Sequence, residues 1–309
     1  MCYWGRERGR WEEDQSRGGE EVHATIVGII RQLRQSSPLT AWSESLTWLM
    51  PQNCLPIWSR RLPCNIDGCQ RQGNQSKWRH YDIEITDRLW SLWGSLHPRA
   101  SWFDRMVRGR QMLGCYVIAC CAACTFRRLD DWNSKLLDAI VVNGDKYYRE
   151  SVQHSERWDH NLQLDDMCMQ CTFQDIHFQV QTELTAFGQL YSSPASEIMN
   201  LSEGLNYFFT RYQFGILECQ ERRLAFGYTS VHDGGYFIYD CSEWGEPIFP
   251  DNMGASYILR AKQLLVLLYC MIVTLNVRRK NVAFRLYKVD IVRNSNSISN
   301  SSTNPKLDD

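Results

Sequence analysis

The chain has 309 residues, of which 44% are hydrophobic and 22% are charged, so it is long enough to bury a large core. Its 34 basic residues nearly balance its 35 acidic residues, which leaves a net charge of −1. This balance gives no reason to expect nucleic acid or an anionic membrane surface as a partner.

The cysteines predict a reducing environment. There are thirteen, an odd number, and the first residues lack the apolar core of a signal peptide. We therefore expect a soluble, intracellular protein, cytoplasmic or nuclear, whose cysteines are mostly small buried apolar residues. The Asn-x-Ser sequences at Asn74, Asn200 and Asn300 are then chance matches.

The two ends of the chain differ in composition from its middle. Residues 1–25 are charged and rich in glycine, and residues 293–309 are rich in serine and asparagine, so we expect disorder in both. Residues 26–104 form an irregular, Trp-rich extension without clean periodicity. Within it, only residues 26–33 and 83–96 resemble helices.

Two helical patterns follow. Residues 111–126 are apolar nearly all round, which predicts a helix surrounded by other elements. A second helix is predicted over 130–141, started by Asp130 or Asp131 and stopped at Asn143-Gly144, with a further helix beginning at 145–148. The apolar stripe of the second helix comprises Trp132, Leu136, Leu137 and Ile140.

The second half of the chain mixes strands and helices. Residues 176–183 alternate apolar and polar, which predicts a half-buried strand, and a helix with a stripe from Leu201 to Tyr212 follows Pro194. Further strands are predicted at 214–219, 223–228, 236–240 and 282–292. The apolar run 264–275 has 12 residues, fewer than the roughly 20 that a membrane span needs, so it predicts a buried helix. This order predicts an α+β fold with helices on a mostly antiparallel sheet.

Cysteine pairs suggest a metal site only weakly. Cys121 and Cys124 form one C-x-x-C pair, and Cys168 and Cys171 form another. The pairs are far apart in sequence and the first lies in an apolar helix, which favours core packing over a zinc site. Cys64, Cys69 and His80 form a weaker set. We expect neither a metal nor a cofactor.

Three segments resemble a known family. Gly-Arg-Gln-Met-Leu at 109–113 enters the apolar helix; Trp, Leu-Asp-Ala-Ile and Gly-Asp-Lys-Tyr-Tyr follow within 132–148; and Tyr-Phe-Ile-Tyr-Asp-Cys-Ser at 236–242 precedes Gly-Ala-Ser at 254–256. Their order and spacing resemble the papain-like deubiquitinase domain of herpesvirus large tegument proteins and its divergent insect relatives, over residues 105–292. The resemblance implies a papain-like scaffold with a central buried helix.

The resemblance also implies a degenerate catalytic site. The family's nucleophilic cysteine corresponds to Met112, its histidine to Ser242 and its aspartate to Asp240. The family's upstream glutamine has no counterpart, because residues 89–110 contain no Gln. The implied function is a non-catalytic pseudo-protease that acts by binding a protein partner of the ubiquitin type.

Two alternatives remain open. Cys115, about 4.5 Å further along the helix than Met112, could be a displaced nucleophile, with His232 as base and Asp233 or Asp240 orienting it. A buried cysteine beside a polar turn would explain the same residues. The chain could also be a structural or interaction protein without peptidase ancestry, whose contacts come from its Trp-rich first hundred residues.

Overall fold

The computed structural model describes residues 56–59, 62, 80–155, 161–192, 197–244, 249, 253–277 and 282–294. Within them, nine strands form one sheet in the order β1-β2-β8-β7-β6-β5-β9-β4-β3, with every neighbouring pair antiparallel. The strands are β1 (Asp82–Ile85), β2 (Leu89–Trp93), β3 (Gln170–Phe173), β4 (Ile176–Gln189), β5 (Phe214–Cys219), β6 (Arg222–Thr229), β7 (Gly235–Asp240), β8 (Tyr257–Ala261) and β9 (Ala283–Arg293). The α-helices are α1 (Met112–Thr125), α2 (Ser134–His154), α3 (Leu201–Phe209) and α4 (Leu264–Leu275). The predicted α+β class is confirmed.

The sheet separates two hydrophobic cores. Helices α1 and α2 pack in the core on one face, and α3 and α4 pack in the core on the other. Along β7, Phe237 and Tyr239 enter the first core and Ile238 enters the second, as the two-residue alternation of a strand requires. Covering both faces is why the central strands carry continuous apolar sequences.

Most of the predicted elements are confirmed. The helices at 111–126, 264–275 and after Pro194 are present, as are the strands at 176–183, 214–219, 223–228, 236–240 and 282–292. No helix in the described ranges is long and apolar enough to cross a membrane. The predicted disorder of 1–25 and the predicted helix at 26–33 lie outside the described residues, as does the tail beyond residue 294.

The helix predicted at 83–96 is wrong. Residues 82–93 form the hairpin β1–β2, turned at Asp87 with a φ of 60°, and β2 pairs with β8 along its whole length. The folded region therefore begins before residue 105. The prediction of an irregular segment over residues 26–104 is wrong for the two strands β1 and β2. Trp58 and Leu62 also belong to a buried core.

Helix α2 is one continuous helix instead of two. Asn133 caps it by accepting a hydrogen bond from the Leu136 N–H, whereas the expected caps Asp130 and Asp131 lie in a preceding 3₁₀ turn. The expected stop at Gly144 lies in mid-helix because α2 crosses α1 there. A Cβ at Gly144 would lie 2.6 Å from the Cys115 Cα, so only glycine lets the two backbones approach this closely.

This crossing gives the first prediction. Gly144→Ala should destabilise the fold by about 1–3 kcal/mol, the usual cost of overpacking, although Gly→Ala in an open helix is normally stabilising. Urea unfolding of both proteins measures the change. Val142→Ala, on the exposed side of the same helix, is the matched control and should stay within about 0.5 kcal/mol. A stabilised Gly144→Ala protein would contradict the close crossing.

Candidate functional site

Asp240 ends β7 in a buried position and contacts α1 through Tyr116. Its Oδ1 accepts hydrogen bonds from the Ser242 N–H at 2.8 Å and from the Tyr116 hydroxyl at 3.3 Å. Its Oδ2 accepts a hydrogen bond from the Ser242 hydroxyl at 2.9 Å. Asp240 is 1% exposed, and its carboxylate is engaged by Ser242, by Tyr116 of α1 and by the Tyr257 hydroxyl on β8.

Met112 is the first residue of α1 and is half-buried. Tyr116 lies one turn further along the same face of the helix, so its bond to Asp240 places Met112 on the side of α1 that faces the end of β7. The helix has no side-chain cap: Gln111, immediately before it, donates its Nε2–H to the Pro98 carbonyl at 2.6 Å. The structure thus joins Asp240 to Ser242 and, through the Tyr116 hydroxyl, to the N-terminal half of α1.

His97 lies beside the same turn, and no motif in the sequence marked it as a candidate site residue. Its ring is 2% exposed, its Nδ1 accepts the Arg99 N–H at 3.2 Å, and its other edge faces the backbone of Cys241, Ser242 and Gly254. Burial lowers the pKa of His97 to about 4, against the opposing effect of the Ser242 carbonyl. The imidazole is therefore neutral near pH 7.

Asp138 holds the turn that carries His97. Its Oδ1 accepts the N–H groups of Ser95 at 2.7 Å and Leu96 at 2.8 Å, and partial burial raises its pKa while these two bonds lower it. This aspartate belongs to the Leu-Asp-Ala-Ile segment at 137–140. Its role in the structure is to fix the backbone between β2 and His97.

The structure does not assemble the alternative catalytic set. Cys115 is fully buried, with its Sγ 3.8 Å from the Val141 carbonyl. The His232 side chain is 95% exposed and bonds Asp233, which pairs with Arg128 beyond the C-terminus of α1. The 14 residues of α1 span roughly 20 Å, so His232 lies at the opposite end of that helix from Met112.

The cysteines pack in the core. All nine described cysteines are free thiols, and seven of them are buried. The Cys121 and Cys171 sulfurs lie 3.7 Å apart, and burial raises the pKa of Cys121, which favours the protonated thiol over a metal-binding thiolate. No group of three or more His, Cys, Asp or Glu residues within the described ranges is placed to hold a metal ion. Cys64 and Cys69 lie outside those ranges.

Comparison with known proteins identifies the fold. No family model matches the sequence, and no curated protein matches it significantly. Among solved structures, it is similar to the ubiquitin-specific protease encoded by a murine cytomegalovirus tegument protein, crystallised with a ubiquitin-based suicide substrate. The TM-score is 0.51, and the match covers 67% of this chain and 88% of the viral chain. The chain has a papain-like fold. With 10% sequence identity, this likeness concerns the fold and not the activity.

Proposed function

We propose that this chain is a non-catalytic, papain-like pseudo-protease that binds ubiquitin or a ubiquitin-like protein and acts through that binding. The observation that supports the proposal most directly is the chemistry at the junction of α1 and β7. The first residue of α1 is Met112, which carries a thioether, and the Asp240 carboxylate at the end of β7 accepts the hydroxyl of Ser242.

Met112 lacks the chemistry of a nucleophile. The unpaired N–H groups and the dipole of a helix N-terminus stabilise a thiolate, which is why that place suits a catalytic cysteine. A thioether has no proton to lose and forms no acyl-enzyme by this route. The positive end of α1 therefore has no anion to stabilise at Met112.

Ser242 lacks the chemistry of a base. A serine hydroxyl does not accept a proton near neutral pH, and here it donates its own proton to Asp240. The Asp240 carboxylate accepts hydrogen bonds from Ser242 and Tyr116, so it caps the backbone that follows β7. His97 is neutral and in reach of the same turn, but its ring is held against backbone groups.

Binding does not depend on the missing thiol. A folded partner contacts the surface around a cleft, and that surface can persist when the reacting atoms are replaced. The viral neighbour was crystallised with a ubiquitin-based substrate, which makes ubiquitin and its relatives the first partners to test.

The decisive experiment measures binding and turnover with the same full-length protein. Calorimetric titration with ubiquitin and with ubiquitin-like proteins should give saturable binding, while di-ubiquitin and C-terminal fluorogenic conjugates of the same proteins remain uncleaved. Pretreatment with iodoacetamide is the control, since it would abolish turnover by any exposed cysteine. Alkylation-sensitive cleavage would refute the pseudo-protease proposal, and absence of binding to every member would refute the partner.

A further inference from the structure

A closed loop of residues 98–109 stands directly before α1. The Gly109 N–H donates to the Pro98 carbonyl at 3.2 Å, and the Gln111 side chain donates to the same oxygen at 2.6 Å. Gly109 has a φ of 81°, a backbone conformation that favours glycine. The two ends of the loop therefore meet at the N-terminus of α1, an arrangement typical of compact loops that carry function.

The loop has a fixed shape. The Arg108 guanidinium donates to the Ser101 carbonyl at 2.6 Å and to the Phe103 carbonyl at 2.7 and 3.2 Å. An ion pair between Arg99 and Glu243 ties the loop to the residue that follows Ser242. A surface held in this way loses little conformational entropy when a partner binds.

The loop presents large apolar side chains to solvent. Trp102 is 58% exposed and stacks on the buried Phe103 with ring centroids 4.1 Å apart, while Met106 is 63% exposed. The exposed Arg105 lies between them in sequence. Trp and Arg are the residue types most enriched among the energetically dominant residues of protein interfaces, and Met is enriched at interface cores.

The charged side chains of the loop indicate which charges a complementary partner surface carries. Residues 98–109 contain three arginines and one aspartate. The Asp104 Oδ1 accepts the Met106 N–H, and Arg99 and Arg108 are engaged at the base and interior of the loop. Arg105 is thus the cation that accompanies the two apolar side chains outward. The complementary surface is an apolar patch with carboxylates at its rim.

We propose that Trp102, Arg105 and Met106 form the docking surface for the ubiquitin-like partner, through an apolar patch of that partner that is bordered by acidic side chains. This inference rests on the proposed function and names the surface that performs it. Because the loop closes between Pro98 and the Gly109–Gln111 segment, a partner seated on it lies beside the N-terminus of α1.

The test uses the full chain and whichever of ubiquitin and the ubiquitin-like proteins binds the wild type. Trp102→Ala and Met106→Ala should each weaken binding at least 10-fold in calorimetric titration. Arg105→Glu should weaken it about 5-fold at 50 mM salt, with the difference shrinking at 500 mM salt. Phe187→Ala is the matched control, because Phe187 is 71% exposed on β4 outside the loop, and it should bind like the wild type. Circular dichroism confirms that each variant is folded.

The outcomes separate the two proposals. If the wild type binds but the loop variants bind equally well, the loop is not the docking surface and the proposed function stands. The same holds if Phe187→Ala weakens binding as much as Trp102→Ala does. If the wild type binds none of the probes, the proposed function fails and this inference fails with it.

Discussion

Met112→Cys combined with Ser242→His should turn this chain into a protein whose thiol at the α1 N-terminus reacts with a ubiquitin-based electrophilic probe, while the wild type stays unlabelled. The first change places a thiol where the helix N–H groups favour its thiolate. The second places an imidazole next to Asp240, whose Oδ2 the wild-type Ser242 hydroxyl now occupies. Together they restore the nucleophile and base that the family resemblance assigns to these positions.

The expected size of the effect follows from the thiol pKa. A free cysteine has a pKa near 8.5, whereas a cysteine paired with an imidazolium at a helix N-terminus has a pKa at least about 1 unit lower. If pairing lowers it by about 2 units, the thiolate fraction at pH 6.5 rises roughly 50-fold, and the lower nucleophilicity of the weaker base reduces the gain to roughly 5- to 10-fold. Iodoacetamide labelling at pH 6.5, mapped by peptide mass, should show this gain over Met112→Cys alone.

The control is the same double variant carrying Asp240→Asn, which removes the carboxylate that orients the imidazole and should lose most of the gain. Mapping also distinguishes the introduced thiol from Cys115, which is fully buried and should stay unlabelled. Equal labelling rates in the single and double variants would mean that positions 112 and 242 do not face each other, and the assignment of a degenerate site would then be wrong.

Helices and strands with a clear length and periodicity could be predicted from the sequence. The predictions were wrong where contacts with other elements determine the local structure. Strand β2 is buried on both faces, with Leu92 in one core and Leu89 and Trp93 in the other. A strand covered on both sides has no alternation, and its apolar spacing fits a helix equally well. Gly144 led to a wrong prediction of a helix end for a related reason. A glycine is required there because α1 packs closely against α2, and not because α2 ends.

The site was only partly accessible from the sequence. The motifs around Asp240, Ser242 and Met112 are what nominate these three residues as the degenerate site. The Tyr116 hydroxyl, however, reaches Asp240 across a sequence separation of 124 residues, a contact that no local pattern encodes. His97 reaches the same place because β2 pairs with β8, the pairing that the prediction of a helix at 83–96 excluded.

His97 should make the folded state markedly less stable in mildly acidic solution. In the unfolded chain its pKa is near 6.5, whereas burial lowers the folded-state pKa to about 4. The stability that the neutral His97 contributes is therefore fully present above pH 6.5 and is lost as the pH falls from 6.5 toward 4. In that range the unfolded chain binds a proton at His97 and the folded protein does not. The shift corresponds to about 3 kcal/mol in total, of which about 2 kcal/mol is lost between pH 7 and pH 5.

Urea unfolding at pH 7 and pH 5 tests this prediction. Because many carboxylates also titrate in this range, the quantity to compare between variants is the loss of unfolding free energy from pH 7 to pH 5. His97→Asn keeps an acceptor near the Arg99 N–H but cannot be protonated, so its loss of stability between the two pH values should be about 2 kcal/mol smaller than that of the wild type. His232→Asn makes the same change of residue type at a side chain that is 95% exposed, and it serves as the control for the substitution itself. An NMR titration that finds His97 protonating near pH 6.5 in the folded protein would show that its ring is open to water. The turn that joins β2 to the candidate site would then not be held against Cys241, Ser242 and Gly254 as the structure has it.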